Sequence, residues 1–198
     1  MGITIFITFE GIEGSGKSTV ARSVVDYLNS KGRRAIYTRE PGGDTVSEKI
    51  RDILVNNEMD AITELLLFQS ARREHYLNVI RPALDEDIIV VCDRFTGSTI
   101  ALQGYGRGLP MGLISRLNEI TTDDTKPDHI ILLDLPVKVG LDRIFNNNRE
   151  TNRLDREPID FHERVREGFL SIGNTAKFNA DRPLRTVIED VIRYIDKL

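Results

Sequence analysis

The sequence is poor in the residues that build disulfide or metal-stabilised scaffolds. It contains one cysteine, Cys92, and no tryptophan. A single cysteine excludes a disulfide framework and a cysteine-based zinc site, and its place in the apolar run 88–92 indicates a small buried side chain. The three histidines are scattered and show no spacing typical of a metal site. We therefore assign no chemistry to His75, His129 or His162.

Long apolar runs and an excess of positive charge are also absent. No apolar stretch approaches the ~18 residues of a membrane-spanning helix, and no basic flank precedes the apolar N-terminal segment as it does in a signal peptide. The net charge of −4 argues against a general nucleic-acid surface. The 198 residues suit one domain, or a domain with a small lid. We expect a single domain over residues 1–198, located in the cytoplasm.

The most informative segment that is present is a glycine-rich one. Residues 11–18 read G-x-x-x-x-G-K-S, between a strand-like run at 3–9 and a helix-like run from residue 19. Glycines allow backbone N–H groups to line an anion site at a helix N-terminus. Lys17 would reach the β- and γ-phosphates of a nucleotide, and the Ser18 hydroxyl would ligate Mg²⁺. The predicted phosphate-binding residues are Gly11, Ile12, Glu13, Gly14, Ser15, Gly16, Lys17, Ser18 and Thr19.

Strand-like and helix-like runs alternate along the chain, which predicts parallel βαβ units. We predict a P-loop NTPase fold with three α/β/α layers, a five-stranded parallel sheet and a short lid. The glycine-rich run 104–108 is interpreted as a loop that closes on a ligand, and the polar segment 146–157 as a mobile lid. The predicted strands are 3–9, 34–38, 88–92, 130–133 and 184–188. The predicted helices are 19–30, 46–55, 61–81, 112–122, one after Pro136, 158–174 and 189–197.

Charged residues follow the predicted strands, where open parallel sheets bind their ligands. Arg39 and Glu40 follow the second strand, and Asp93 and Arg94 follow the third. An acidic residue at such a strand end holds Mg²⁺ through its water shell, so Asp93 joins Ser18 as a predicted metal ligand. Arg94 would face an anion. The alternatives are an aspartate that only caps a turn and an arginine exposed to solvent.

Two further pairs of residues share the spacing of one helix face. Phe68 and Arg72 are four residues apart on the predicted helix 61–81 and could sandwich and hydrogen-bond a base. Taken alone, a core phenylalanine and a surface arginine explain this pair better. Arg149 and Arg153 have the same spacing, and arginines of a lid can neutralise charge on a moving phosphoryl group. A solvated basic loop is the alternative for this second pair.

Seven segments, in order and over nearly the full length, resemble the thymidylate kinases, a family of P-loop nucleoside monophosphate kinases. Gly14 stands where one subgroup carries its catalytic arginine. The chain therefore resembles the bacterial-type subgroup, in which the lid supplies that arginine. The matching segments are residues 9–19, 39–43, 64–68 with Arg72, 93–95 with Ser98, 103–108, 126–128 and 152–155.

The resemblance implies an enzyme that phosphorylates dTMP to dTDP with ATP and Mg²⁺, and a homodimer. In such an enzyme Phe68 would stack on thymine and Arg72 would hydrogen-bond its exocyclic oxygen. Arg39 and Arg94 would hold the dTMP phosphate, and Glu13 would contact the sugar 3′-hydroxyl or the magnesium shell. The other residues implied in the substrate pocket are Pro41, Ser98, Leu102 and Gln103. Those implied in catalysis are Lys17, Arg94, Arg153 and, as a second lid candidate, Arg149.

Departures from the family pattern leave one alternative open. Leu102 stands where a tyrosine often helps to exclude a ribose 2′-hydroxyl, so a kinase of dUMP or of a broader set of pyrimidine monophosphates is the alternative. Gly97 stands where a side chain is common, and the lid reads Asn-Arg-Leu-Asp, not Asp-Arg-Phe-Glu. A GTPase switch is disfavoured, because the T-K-P-D run at 125–128 precedes a strand and no Asp-x-x-Gly occurs.

Overall fold

The computed structural model describes residues 4–146 and 151–198. Five strands form one sheet in the order β2-β3-β1-β4-β5, and each neighbouring pair is parallel. Phe9 lies opposite Asp93 in the β1–β3 register, so the segments that leave these two strands begin side by side. The strands are β1 (Phe6–Glu10), β2 (Ala35–Arg39), β3 (Ile89–Asp93), β4 (His129–Asp134) and β5 (Thr175–Asn179).

Helices cover both faces of this sheet and connect its strands. None of them, over the two described ranges, has the length and apolarity that a membrane crossing requires. The helices are α1 (Lys17–Ser30), α2 (Thr45–Asn56), α3 (Ala61–His75), α4 (Arg81–Asp85), α5 (Thr96–Thr99), α6 (Met111–Thr122), α7 (Val137–Phe145), α8 (Ile159–Leu170) and α9 (Leu184–Ile195). Two π-helical turns, Tyr76–Ile80 and Ile100–Gly106, extend α3 and α5, and a 3₁₀ turn covers Leu154–Arg156.

The apolar strands β1 and β3 are buried at every position, as their uninterrupted apolar runs indicate. One face of the sheet packs on α1, α8 and α9 through a large apolar cluster. The other face holds a smaller cluster in which Phe6 and Phe95 meet edge to face, 4.9 Å between ring centroids. Cys92 is buried in this second cluster, as predicted. Two layers of helices around one parallel sheet confirm the predicted fold class.

The prediction for the C-terminal part of the chain was wrong. Residues 184–188 were predicted as the last strand, but they form the first turns of α9, which follows Pro183. Val187, Val191 and Ile195 recur every four residues and bury one face of that helix. The fifth strand is instead β5, an edge strand of partly or fully exposed residues, and its polar composition gave no apolar run to detect.

The interpretation of residues 104–108 as a ligand-closing loop was also wrong, because the π-helical turn runs on to Gly106. The glycines allow close packing. A Cβ on Gly106 would lie 2.7 Å from the Phe161 ring, and one on Gly104 would lie 2.7 Å from the Met111 sulfur. Of the predicted lid, residues 147–150 lie outside the described ranges.

Candidate active site

The glycine-rich loop lies between β1 and α1, where the motif requires it. Gly11, Gly14 and Gly16 have φ angles of 142°, 75° and 85°, which an L side chain rarely adopts. A Cβ on Gly14 would lie 2.2 Å from the carbonyl oxygen of Gly140 on α7, so the loop is pressed against that helix. Gly16 is the N-cap residue of α1, and no side chain of the described residues makes a capping hydrogen bond there. The first N–H groups of α1 are thus suited to receive an anion.

Lys17 is folded back into this loop. Its ammonium donates to the Ile12 carbonyl oxygen at 2.8 Å and to Ser15 Oγ at 3.3 Å. Burial, helped by the nearby charge of Arg94, lowers the pKa of Lys17 to about 8. A bound phosphate would favour the charged form and would compete with these two oxygens, so the lysine is placed to bind one.

Ser18 and Asp93 form the predicted metal pair. The Ser18 hydroxyl donates to Asp93 Oδ2, and Asp93 Oδ1 is buried with no hydrogen-bond partner among the described residues. A buried carboxylate oxygen left over beside a hydroxyl suits Mg²⁺, which keeps several waters and needs only one or two protein ligands. No group of three or more acidic, histidine or cysteine side chains forms an alternative metal site in the described ranges.

Arg94 connects the glycine-rich loop with a second cleft. Its backbone adopts φ 77°, a conformation that costs a non-glycine residue on the order of 1–3 kcal/mol and is often found at functional sites. The guanidinium donates to Glu13 Oε1 at 2.6 Å, to Ser98 Oγ at 3.0 Å and to the Gly11 carbonyl oxygen at 3.4 Å. Burial opposes its charge, but Glu13 and Asp93 outweigh burial and raise the pKa of Arg94.

Glu10, at the end of β1, fixes the turn that carries Arg94. It is fully buried and accepts the Phe95 N–H at 2.9 Å and the Ser98 hydroxyl at 2.6 Å. Burial raises the pKa of Glu10 to about 7, although Ser98 and Arg94 favour the charged form. A Cβ on Gly97 would lie 2.8 Å from Glu10 Oε1. A side chain at position 97 would therefore collide with the carboxylate that fixes this turn.

The second cleft contains the predicted nucleoside-binding residues. Phe68 and Arg72 both line it, and Arg72 is buried, so this arginine is not the surface side chain that the spacing alone suggested. Leu102 and Gln103 lie on its wall. The residues that line the cleft are Glu40, Pro41, Phe68, Arg72, Arg94, Ser98, Thr99, Leu102 and Gln103.

Arg72 is held by protein acceptors on nearly every side. Its Nε donates to Glu40 at 2.7 Å, and one terminal nitrogen donates to Thr99 Oγ1 and Asn118 Oδ1, both at 2.8 Å. The other terminal nitrogen donates to the Phe95 carbonyl oxygen at 2.9 Å. A guanidinium has five N–H donors, and bonds to the described residues use four of them.

A buried network supports Arg72 from behind. Glu40 also binds His75 Nδ1 at 3.1 Å, and His75 Nε2 lies 2.6 Å from the Thr38 hydroxyl. Burial would raise the pKa of Glu40, but Arg72 and His75 outweigh it and lower that pKa. A Cβ on Gly43 would lie 2.5 Å from the His75 ring. His75, which the sequence left without a role, therefore holds the carboxylate that orients Arg72.

Arg39 lies near the site but does not line the cleft. Its guanidinium donates to both oxygens of Glu48, at 2.9 and 3.0 Å. Arg51 on α2, which the sequence gave no reason to select, donates to the Pro41 carbonyl oxygen at 2.9 Å. Burial and the charge of Arg39 lower the pKa of Arg51. The structure thus places two arginines together at the rim beside Pro41.

The structure describes only one of the two predicted lid arginines. Arg153 is buried, and its guanidinium donates to Glu64 Oε2 at 2.7 Å and to the Leu54 carbonyl oxygen at 3.2 Å. A catalytic role for Arg153 requires it to leave Glu64 and stays a prediction. Arg149 lies outside the described residues.

Known proteins resemble this chain over almost its full length. A family model described as thymidylate kinase matches residues 9–191. The chain is 47% identical over 204 aligned residues to the thymidylate kinase of Bacillus cereus, and the alignment covers 98% of each chain. This chain belongs to the thymidylate kinase family. The thymidylate kinase of Bacillus mycoides is 46% identical with the same coverage. The crystal structure of the Ehrlichia chaffeensis thymidylate kinase matches with a TM-score of 0.81 at 33% identity, covering 98% of both chains.

In this thymidylate kinase family member, the T-K-P-D run at 125–128 has structural contacts and does not form a guanine-binding site. Asp128 accepts the Phe6 N–H at 2.8 Å, and Thr125 bonds the Tyr76 hydroxyl at 2.8 Å. Both contacts lie at the amino end of the sheet, where β1 and β4 begin. The glycine-rich loop leaves the opposite end, so this run is structural.

Sequence reasoning assigned no supporting role to four buried side chains of this site, although it had noted Glu40 at the end of the second strand. Glu10, Glu40, Glu64 and His75 are all buried, and each contacts a residue of the cleft or of the turn that carries Arg94. A carboxylate in an apolar or helical stretch is rarely buried without a partner. That signal was available for Glu10, at the end of the apolar run of β1.

Proposed function

We propose that this chain is a dTMP kinase, which transfers the γ-phosphoryl group of ATP to dTMP and yields dTDP and ADP. The observation that carries the proposal is the position of Arg94. It lines the cleft that contains Phe68 and Arg72, and it also donates to Gly11 of the glycine-rich loop. One guanidinium therefore lies between the glycine-rich loop, where the triphosphate would bind, and the cleft, where the base would bind. The thymidylate kinases that this chain resembles carry this activity in their name.

The base end of the cleft is suited to a pyrimidine that carries a carbonyl oxygen. Arg72 has one N–H that no described residue accepts, and a guanidinium cannot itself accept a hydrogen bond. Thymine offers the O4 acceptor at the matching edge, whereas cytosine offers an amino donor there. Phe68 would stack on the ring, and Pro41, Ser98 and Leu102 would form the walls around the nucleoside.

The phosphate end supplies charge and positioning for an in-line transfer. Lys17 and the backbone N–H groups of residues 11–19 would hold the ATP phosphates, and Arg94 with Arg39 would hold the dTMP phosphate. The acceptor is already an anion, so no general base is needed. Catalysis then consists of positioning and of stabilising the charge on the transferred group. Glu13 would contact the sugar 3′-hydroxyl or the magnesium shell.

Mg²⁺ fits this arrangement as a cofactor. Ser18 and Asp93 would hold it, partly through water, because Asp93 Oδ1 is a buried acceptor without a partner among the described residues. When bound, the ion neutralises charge on the β- and γ-phosphates. The segment 146–157 would close over the phosphates, keep out water that would otherwise hydrolyse ATP, and bring Arg149 or Arg153 to the transferred group.

The assembly and compartment of the enzyme are part of the same proposal. We expect one catalytic domain over residues 1–198, a homodimer, and a cytoplasmic location. The homodimer is supported by exposed apolar side chains on the neighbouring helices α3 and α6, namely Ile62, Leu66, Leu113 and Ile120. Light scattering coupled to size exclusion tests it, and a monomeric mass at micromolar concentration would contradict it.

An ADP-release assay with dTMP, dUMP, UMP and dCMP as acceptors tests the proposed reaction. We expect the highest kcat/KM on dTMP and only slow ADP release from ATP alone. A preference for dUMP or UMP would restore the alternative raised by Leu102, for which the comparisons give no support. Tight nucleotide binding with no turnover on any monophosphate would overturn the proposal.

A further inference from the structure

Gln103 is the cleft residue whose orientation can be read from its surroundings. Its side chain is buried, and its amide nitrogen donates to Glu64 Oε1 at 2.9 Å. Within the part of the chain that the structure describes, no donor reaches the side-chain oxygen Oε1, whereas the backbone carbonyl oxygen accepts the Leu109 N–H at 3.1 Å. Because the two ends of an amide differ only in donor and acceptor character, the partner of the nitrogen decides which end is left for the cleft. The end left at Gln103 is an acceptor.

Glu64 can impose this orientation because the described groups that contact its two oxygens are all donors. It is fully buried, and its two oxygens accept from Gln103, from Arg107 at 3.0 and 3.2 Å, and from Arg153 at 2.7 Å. Burial would raise the pKa of Glu64, but Arg107 and Gln103 outweigh it and lower that pKa. An ionised carboxylate offers no proton, so the nitrogen of Gln103 is the only end that can face it.

We propose that Glu64 is a specificity-determining positioning residue, which holds Gln103 so that its carbonyl oxygen accepts the N3–H of the substrate base. This inference rests on the proposed function and names a residue that does not touch the nucleotide. With Arg72 as donor and Gln103 as acceptor, the cleft presents the complement of a thymine or uracil edge. Cytosine carries the reverse pattern, an amino donor beside a ring-nitrogen acceptor, and meets a mismatch at both positions.

The decisive variant is Glu64→Gln. The new amide should place its carbonyl oxygen in the Oε2 position, where Arg107 and Arg153 both donate, because only the longer 3.2 Å bond from Arg107 Nε reaches the Oε1 position beside Gln103. Its NH₂ group then faces Gln103, which flips and presents its own NH₂ group to the base. We expect the ratio of kcat/KM for dTMP over dCMP to fall at least about tenfold, the effect of one hydrogen bond worth roughly 1.4 kcal/mol. Any loss through freed Arg153 affects both substrates and cancels in the ratio.

Glu157→Gln is the matched control. Glu157 also pairs with Arg107, at 2.6 Å, and nothing in the described structure links it to Gln103. It removes the same charge from the same arginine, so the ratio should stay within about twofold of wild type. An equal fall in both variants would show that loss of charge around Arg107 is responsible, and it would overturn the proposal.

A swap keeps the test decisive if Glu64→Gln folds poorly. In the double variant Glu64→Gln with Gln103→Glu, the carboxylate at 103 accepts from the new amide with one oxygen and offers the other to the base. We expect the swap to restore at least half of the lost discrimination on a logarithmic scale. An unchanged ratio in Glu64→Gln, or a swap no better than the single variant, would overturn the role of Glu64. A wild-type enzyme with no turnover on dTMP would instead overturn the proposed function.

Discussion

The two ends of the proposed active site, which we call the phosphate end and the base end after their proposed ligands, are built in different ways. The phosphate end, residues 11–19 with Asp93 and Arg94, comes from one continuous loop and from the neighbouring strand end, and backbone conformation forms most of it. The base end, Arg72 with Glu40, Thr99, Asn118 and Gln103, gathers side chains from separate segments of the chain. A backbone-built site is encoded locally, whereas a side-chain-built site depends on the whole fold.

The largest expected effect breaks the phosphate end. Lys17→Ala or Arg94→Ala should abolish measurable turnover, because each removes a charge that the transition state needs. Circular dichroism should show a folded protein, and Arg94→Ala should keep most of its affinity for ATP. Arg185→Ala is the control, since Arg185 is exposed and pairs only with Glu189 among the described residues. Normal turnover in either active-site variant would contradict the assignment.

Alanine substitution of each lid arginine should distinguish a catalytic arginine from one that anchors the lid. Alanine at the catalytic one lowers kcat by about 10³–10⁵ without changing thermal stability. Alanine at an anchoring arginine removes one of the ion pairs of the buried Glu64 and lowers Tm. Given the contacts of Arg153, we expect Arg149→Ala to show the first pattern and Arg153→Ala the second. Steady-state kinetics and thermal melts on both variants check this, and the reverse pattern would assign catalysis to Arg153.

Breaking the base end should change binding of one substrate only. Arg72→Lys keeps the charge but loses the planar set of donors that holds Glu40, Thr99 and Asn118. We expect KM for dTMP to rise about a hundredfold, the effect of roughly 3 kcal/mol of lost hydrogen bonding, while KM for ATP stays unchanged. A matched rise in both KM values would mean that the two ends are not separable.

The pH dependence of KM for ATP tests whether Lys17 acts at the phosphate end and not at the base end. The pKa of this ammonium is lowered to about 8, so the free enzyme carries the charge below that pH and loses it above. Bound phosphate favours the charged form, so KM for ATP should rise towards tenfold per pH unit above pH 8, while KM for dTMP rises less. Lys17→Arg, which stays charged, should lack this rise. A flat wild-type profile from pH 7 to 9.5 would contradict the prediction.

The smallest expected effect concerns stability. Burial raises the pKa of Glu10 from 4.5 to about 7. A raised pKa means that the folded state holds the proton more tightly, so the stabilisation is complete below pH 4.5 and is lost as pH rises through 7. This amounts to about 3 kcal/mol at most. The Tm of Glu10→Gln, measured by thermal melts, should therefore rise relative to the Tm of wild type as the pH increases from 5 to 8. A pH-independent difference in Tm would contradict this.

The sequence predicted the features that depend on adjacent residues. The glycine-rich loop, the buried strands and the order of βαβ units follow from local pattern, and the comparisons confirm the family. β5 escaped prediction because an edge strand needs little apolarity, and α9 was split because Leu184–Ile188 is apolar enough for either structure. The Glu64 cluster joins residues 39 to 89 positions apart, a distance over which a single sequence carries no signal. The individual site roles stay predictions.

The crossing of the glycine-rich loop and α7 has a consequence for how the protein can change. A Cβ on Gly14 would meet the carbonyl oxygen of Gly140 at 2.2 Å, and one on Gly140 would meet that of Glu13 at 2.5 Å. Each obstacle is backbone, so a mutation at the partner position cannot make room. Evolution can retune the base pocket one side chain at a time, whereas this junction tolerates a single pair of amino acids.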